Sequence, residues 1–215
     1  DGSLMPELSV NIQGYHKYYG SLVAYNRDKI DAEDPDYVRG TGRAYGIETL
    51  LRYGEAHWDV FASHTLGWTT VTNGSVTYPP RYDRRHTVNL LGVSRPWEHV
   101  ELTARWEFGS GFPFTPSIGY YDRLKFGQLF QSPVVREPGD PYLRLGPKNS
   151  TRLPIYHRLD VGAVYHFVLG RVRGGVGLQV ANLYSRQNVF YVDRTTGQVV
   201  TMLPFFPSVN LTVEY

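Results

Sequence analysis

The sequence of 215 residues contains no cysteine, which excludes a disulfide framework and a thiolate metal site. It also lacks any run of about 18 apolar residues, as a transmembrane helix requires, and its mean hydropathy is −0.34. The net charge of +2 is small, and no block of Lys or Arg points to nucleic acid. Residues 1–9 lack the basic and apolar regions of a secretion signal. We therefore expect a mature chain or a piece of a longer one.

Aromatic residues and glycine are plentiful, with 17 Tyr, 4 Trp and 22 Gly. Tyr and Trp suit positions where one end of a side chain is apolar and the other wet. The last stretch, 204–215, alternates apolar and polar residues with a period of two, as a β-strand does. Its apolar face carries Val209, Leu211, Val213 and Tyr215, and its polar face carries Asn210, Thr212 and Glu214.

Seven earlier segments show a similar period, and no segment indicates a helix. The eight predicted strands are residues 7–18, 43–53, 57–71, 85–94, 98–109, 154–168, 173–184 and 204–215. The links between them alternate long and short. Tight turns on one side of a sheet and large loops on the other are typical of outer-membrane barrels. The sequence thus predicts an all-β fold, a transmembrane antiparallel up-and-down β-barrel.

The positions of aromatic and charged residues favour the same fold. Trp58 and Trp68 lie ten residues apart on one face, as do Phe205 and Tyr215. Ten tilted strand residues rise roughly 23 Å, close to the apolar band of about 25 Å in membrane barrels. The opposite face is too charged for a dry core, which favours a hydrated lumen. Its charged residues are Glu48, Arg52, Asp59, Glu101, Arg105, Glu107, Arg158, Asp160 and Glu214.

Three sets of segments resemble the C-terminal part of the TonB-dependent outer-membrane receptors. The first is Arg43-Ala44-Tyr45-Gly46-Ile47-Glu48, and the second joins residues 156–161 (YHRLDV) with 180–184 (VANLY) and 188–190 (NVF). The third is residues 205–211 (FFPSVNL) with the terminal Tyr215. In that family the terminal aromatic residue belongs to the signal that the barrel-assembly machinery reads. The resemblance rests on the order and spacing of the segments more than on any one of them.

The resemblance implies a bacterial outer-membrane transport receptor of 22 strands, filled by a plug domain that TonB pulls. Residues 1–215 are then the C-terminal portion of the barrel, without a plug, in contact with outer-membrane lipids and lipopolysaccharide. The nutrient class stays open among siderophores, cobalamin and glycans. One alternative is a complete eight-stranded structural or adhesion barrel of the OmpA type. Another is a soluble secreted β-sandwich.

The predicted ligand-binding residues lie in the long links, because aromatic rings stack on flat or sugar ligands and Arg binds carboxylate or phosphate. One cluster is Tyr78, Arg81, Tyr82, Arg84 and Arg85, and the other is Tyr120, Tyr121, Arg123 and Lys125. The alternative is that these residues are interfacial anchors. Arg52, Arg105 and Arg158 lie on the charged face. They are expected to pair with carboxylates on neighbouring strands.

No enzyme, cofactor or metal site is predicted. The seven histidines show no metal-binding spacing, and outward His64 is interpreted as a neutral interfacial residue. The acidic run Asp31, Glu33, Asp34 and Asp36 lacks the glycine turn and final Glu of an EF-hand. A solvated acidic loop, or one that shares divalent cations with lipopolysaccharide, is favoured.

Overall fold

The computed structural model describes residues 2–5, 7–26, 32–123 and 140–215, and this part of the chain is all-β, without a helix. Numbered along the chain, the first eight strands are β1 (Gly2–Met5), β2 (Leu8–Tyr25), β3 (Tyr37–Glu55), β4 (Trp58–Asn73), β5 (Val76–Tyr78), β6 (His86–Trp97), β7 (Val100–Gly109) and β8 (Pro113–Phe114). The others are β9 (Ser117–Arg123), β10 (Asp140–Leu145), β11 (Thr151–Arg152), β12 (Tyr156–Leu169), β13 (Val172–Ala181), β14 (Val189–Val192), β15 (Val199–Thr201) and β16 (Phe206–Glu214).

One antiparallel sheet of ten strands contains all eight predicted strands. Its order is β1-β2-β3-β4-β6-β7-β12-β13-β16, with β5 paired to the end of β4. From β2 to β16, neighbours in the sheet are thus neighbours along the chain, joined by three tight turns and four long links. We call the residues between β2 and β3, β4 and β6, β7 and β12, and β13 and β16 the four long links. Antiparallel pairing places all four at the same end of the sheet.

The sheet is open. Its pairing runs from β1 to β16, and among the described residues neither β1 nor β2 pairs with β16. The remaining strands form three two-stranded sheets, β9–β10, β8–β11 and β14–β15, within the third and fourth long links. The antiparallel all-β fold is therefore confirmed, and a closed barrel is not detected.

The strand register gives the sheet one apolar and one polar face. Residues directly opposite in a ladder point to the same side of a sheet. One row runs Ala62, Leu90, Trp106 and Leu159 across β4, β6, β7 and β12. The row on the other face runs Ser63, Asn89, Glu107 and Arg158 across the same four strands. The predicted division into apolar and charged faces is thus present in the sheet.

Among the described residues, no second layer covers the apolar face. Val209, Leu211 and Ile12 expose 74%, 66% and 67% of their surface, and only Ala44, Val71 and Tyr78 are buried hydrophobic residues in the described chain. A soluble domain of this size normally encloses a core between two packed layers. The sheet is a single layer, and its apolar face lies open.

Some strand ends differ from the prediction. Strand β2 continues to Tyr25, and strand β3 already begins at Tyr37. Both strands therefore include residues that were predicted to lie in the polar link between them. The pairing shifts register between Tyr19 and Leu22, so the apolar side changes parity there and the alternation is interrupted. Strand β13 ends at Ala181, three residues early, because Asn182 has a positive φ of 53° that turns the chain.

Candidate ligand-binding links

The second and third long links are joined by a buried ion pair. The Asp83 side chain is almost fully buried, and one of its oxygens accepts the Thr69 N–H at 2.8 Å. The other bonds to the Arg152 guanidinium, which also donates to the backbone oxygens of Asp83 and Gly111 at 3.0 Å. A buried charge is tolerated only when it is paired and hydrogen-bonded, as Asp83 is. This contact fixes the two links against each other.

Asn149 forms a second connection between the same links. It is 5% exposed and has a φ of 53°, a left-handed conformation that asparagine tolerates better than most residues. Its amide nitrogen donates to Pro79 O at 2.8 Å, and its backbone N–H donates to Thr115 Oγ1 at 3.0 Å. The preceding residue, Lys148, is thereby held beside Tyr78.

The first predicted cluster is divided between buried and exposed residues. Tyr78 is 7% exposed and its hydroxyl accepts hydrogen bonds from Lys148 and Asn73. The Arg84 guanidinium lies 4.1 Å from the centre of the Phe112 ring, and that of Arg85 lies 4.8 Å from Trp68. Burial lowers the pKa of Arg84. Tyr78 and Arg84 therefore join the second link to the third, whereas Arg85 packs against strand β4.

Arg81 and Tyr82 are the exposed members of that cluster. Tyr82 exposes 67% of its surface, and Arg81 is also exposed. Both lie between Tyr78 and Asp83, which are anchored to the third link. Their backbone is therefore fixed, while their side chains are exposed and accessible to a ligand.

The second predicted cluster lies on strand β9. The Tyr120 hydroxyl contacts the backbone oxygens of Arg194 and Thr195 in the fourth long link, each at 3.1 Å. Tyr121 and Arg123 pair through their backbones with Tyr142 and Asp140 of β10. Tyr120 thus contacts the fourth link, and Lys125, like Asp31 of the acidic run, lies outside the described residues.

The fourth long link is shaped by side chains that the sequence analysis did not assign. Asn182 is fully buried and its amide nitrogen donates to Arg186 O and Leu203 O, at 2.9 and 3.0 Å. Asn188 pairs with the backbone of His157 through both its amide atoms. The available signal was the break in alternation at Asn182, since asparagine satisfies loop backbone groups.

A tight turn at the tip of this link depends on Asp193. Its carboxylate accepts the N–H groups of Thr195 and Thr196 at 2.8 and 3.0 Å. These two hydrogen bonds lower the pKa of Asp193. The carbonyl groups of Arg194 and Thr195 are thereby presented to Tyr120.

The predicted ion pairs on the polar face are confirmed in part. Arg158 lies 3.9 Å from Glu107 on the neighbouring strand and 2.8 Å from Asp160 on its own. Arg105 instead pairs with Glu107 two residues along the same strand, because both side chains point to the polar face. Arg52 lies 5.7 Å from the centre of the Phe61 ring, and the described part of the chain offers it no ion pair.

On the apolar face His64 and His86 pair with each other. Their ring nitrogens lie 3.2 Å apart, and the ring planes are nearly parallel. Each ring thus gives the other a polar partner on the apolar face. No group of three or more His, Asp or Glu side chains able to hold a metal occurs in the described ranges.

The polar face and the long links each contain a cavity. One, of about 690 Å³, is lined by polar residues of β2, β3 and β4 that include Gln13, Glu48 and Arg52. The other, of about 660 Å³, lies among the long links beside Tyr78 and Lys148. Both volumes fall within the range of small-molecule sites, roughly 300–1,000 Å³.

Comparison with known proteins adds no identification. No protein-family model matches the chain, and no curated protein is similar to it in sequence. In the part of the chain that the structure describes, no helix is long and apolar enough to cross a membrane.

Proposed function

We propose that this chain forms part of the wall and the loops of a bacterial outer-membrane transport barrel, of the TonB-dependent receptor type. The observation that carries the proposal is the uncovered apolar face of a single-layer sheet eight long strands wide. In water such a face would be a large exposed apolar patch, which soluble proteins avoid. Against lipid it needs no cover.

The opposite face supports a hydrated lumen. Its charged residues lie among Asn, Gln, Ser and Thr, and it contains the cavity beside Glu48 and Arg52. In a soluble sandwich this face would be the solvent side and the apolar face would pack against a second sheet. The single layer disfavours that alternative.

The open sheet favours a portion of a large barrel over a complete eight-stranded one. Among the described residues, the outer edge of β16 has no neighbouring strand. Most of β2 likewise has no strand on the side away from β3. In lipid every backbone polar group needs a partner, so a spanning sheet must close. Further strands would meet that requirement. The lumen of an eight-stranded barrel, by contrast, is filled by packed side chains.

In this function the long links bind a nutrient outside the cell, and the barrel admits it when TonB displaces a plug domain. The chain contributes wall and binding surface and performs no chemistry. The candidate ligand residues are the exposed Arg81 and Tyr82 and the residues around Tyr78 and Tyr120.

The test is expression of the natural full-length protein in a Gram-negative host, followed by separation of inner and outer membranes. We expect the protein in the outer membrane, extractable only with detergent. Recovery in the soluble periplasmic fraction would contradict the proposal. Ligand accumulation that is lost in a strain without TonB would separate a receptor from a structural barrel.

A further inference from the structure

The cavity among the long links is formed by three separate parts of the chain. Its walls come from the end of β2 and the start of β3, from the tip of the β4–β5 hairpin, and from residues 145–148 at the end of β10. By register, Val38, Asn73 and Tyr78 point to the polar face. The cavity therefore opens on the side of the sheet that we assign to the lumen, next to the end where the long links meet.

The lining of this cavity is apolar or neutral apart from one charge. Val38, Val76, Leu145 and Pro147 supply apolar surface. Among the described lining residues, Lys148 is the one charged side chain, and no carboxylate is present. A partly enclosed ammonium group without a counter-charge favours an anion beside it.

The position of the Lys148 ammonium group is fixed. Nζ donates a hydrogen bond to the Tyr78 hydroxyl at 2.9 Å and lies 4.1 Å from the centre of the same ring. The neighbouring Asn149 is clamped by Thr115 and Pro79, so the backbone at this point is held as well. A charge held in place before binding loses less entropy when a ligand arrives.

Unused hydrogen-bond donors remain at this position. An ammonium group has three donors, and the contact with Tyr78 uses one. The Tyr78 oxygen accepts from Lys148 at 2.9 Å and from Asn73 at 3.2 Å, which leaves its own O–H as a further donor. The two groups together present several donors to one acceptor-rich ligand group.

We propose that this cavity binds a small organic anion, in which a carboxylate contacts Lys148 and an apolar body lies against the aliphatic lining. The inference deepens the proposed function by naming its ligand class. It rests on that function for the transport step, whereas binding itself requires only the cavity and its lysine.

The experiment uses two probes of the same shape, naphthalene-2-carboxylate and naphthalene-2-carboxamide, titrated calorimetrically into the purified full-length protein in detergent. We expect the carboxylate to bind at least about tenfold more tightly, the usual effect of one charge-assisted hydrogen bond. In Lys148→Met the two affinities should become equal, while Lys148→Arg should retain the preference. Unchanged carboxamide affinity in Lys148→Met would show that the cavity is still folded.

Lys17→Met is the matched control. Lys17 also lies over a tyrosine ring, 5.6 Å from the centre of Tyr15, but it does not line this cavity. Its loss should leave the carboxylate preference unchanged. Equal affinities in the wild-type protein, a preference that survives Lys148→Met, or no binding of the carboxylate would each overturn the proposal. If the protein binds the carboxylate but fractionates outside the outer membrane, the binding site is supported and the receptor function is contradicted.

Discussion

Individual polar side chains hold the long links in place, and Asp83 is the buried charged one among the described residues. Its carboxylate satisfies Thr69 and Arg152 at once. Replacing it with asparagine leaves Arg152 without its counter-charge in a part-buried position. We expect Asp83→Asn to lower the free energy of unfolding by about 3 kcal/mol, as loss of one partner of a buried ion pair does. Denaturant titration in detergent measures this value.

The double variant Asp83→Asn/Arg152→Met is the control for that measurement. Because both charges are absent, its loss of stability should be smaller than the sum of the two single losses. Strictly additive losses would mean that the ion pair does not couple the two links.

Asp193 gives a prediction about pH at the tip of the fourth link. The Thr195 and Thr196 amides stabilise its ionised form, which lowers the pKa of the carboxyl group. A lowered folded-state pKa adds stability that is complete above the unfolded value of about 3.9 and is lost as pH falls through the folded value. By NMR, the two amide shifts should titrate with a common midpoint below about 3.9. A midpoint above 4 would contradict these hydrogen bonds.

At the scale of the strand, the two faces of β13 provide a matched comparison. Leu178 and Gln179 are adjacent and both exposed, but they lie on the apolar and the polar face respectively. If the apolar face meets lipid, Leu178→Arg should cost about 2–4 kcal/mol near the midplane, and Gln179→Arg much less. Unfolding of both variants in lipid vesicles tests this. Equal and small costs would place Leu178 in water.

The end of β16 gives a prediction about assembly. Tyr215 is 96% exposed, so its removal should cost the folded sheet little. If it is part of an assembly signal, deleting Tyr215 should nevertheless reduce the amount of protein in the outer membrane several-fold, and Tyr215→Phe should restore it. Normal outer-membrane levels after the deletion would show that Tyr215 is not part of an assembly signal.

Over the whole molecule, the sequence predicted the sheet better than the links. Period-two alternation identifies every long strand, because each has one apolar and one polar face that meet different surroundings. Alternation failed where a bulge near Gly20 changes the parity of β2. The contacts of Arg152 with Asp83 and of Lys148 with Tyr78 join residues about 70 positions apart. No local pattern encodes such pairs, so the structure alone revealed which predicted ligand residues are buried and that Lys148 faces a cavity.

The open edges of the sheet lead to the last prediction. Strand β16 donates and accepts backbone hydrogen bonds with β13 on one side, and its other edge has no strand in the described structure. In a spanning sheet that edge must pair, which an additional strand or closure onto β2 could achieve. If the chain is part of a larger wall, the natural polypeptide should have an intact mass several times 24.5 kDa. Residues 206–214 should then be protected from amide exchange in that protein and less protected in the isolated 215-residue chain. A natural mass near 24.5 kDa with full protection of β16 would instead mean that β2 and β16 close a small barrel, and the structural alternative would replace the receptor.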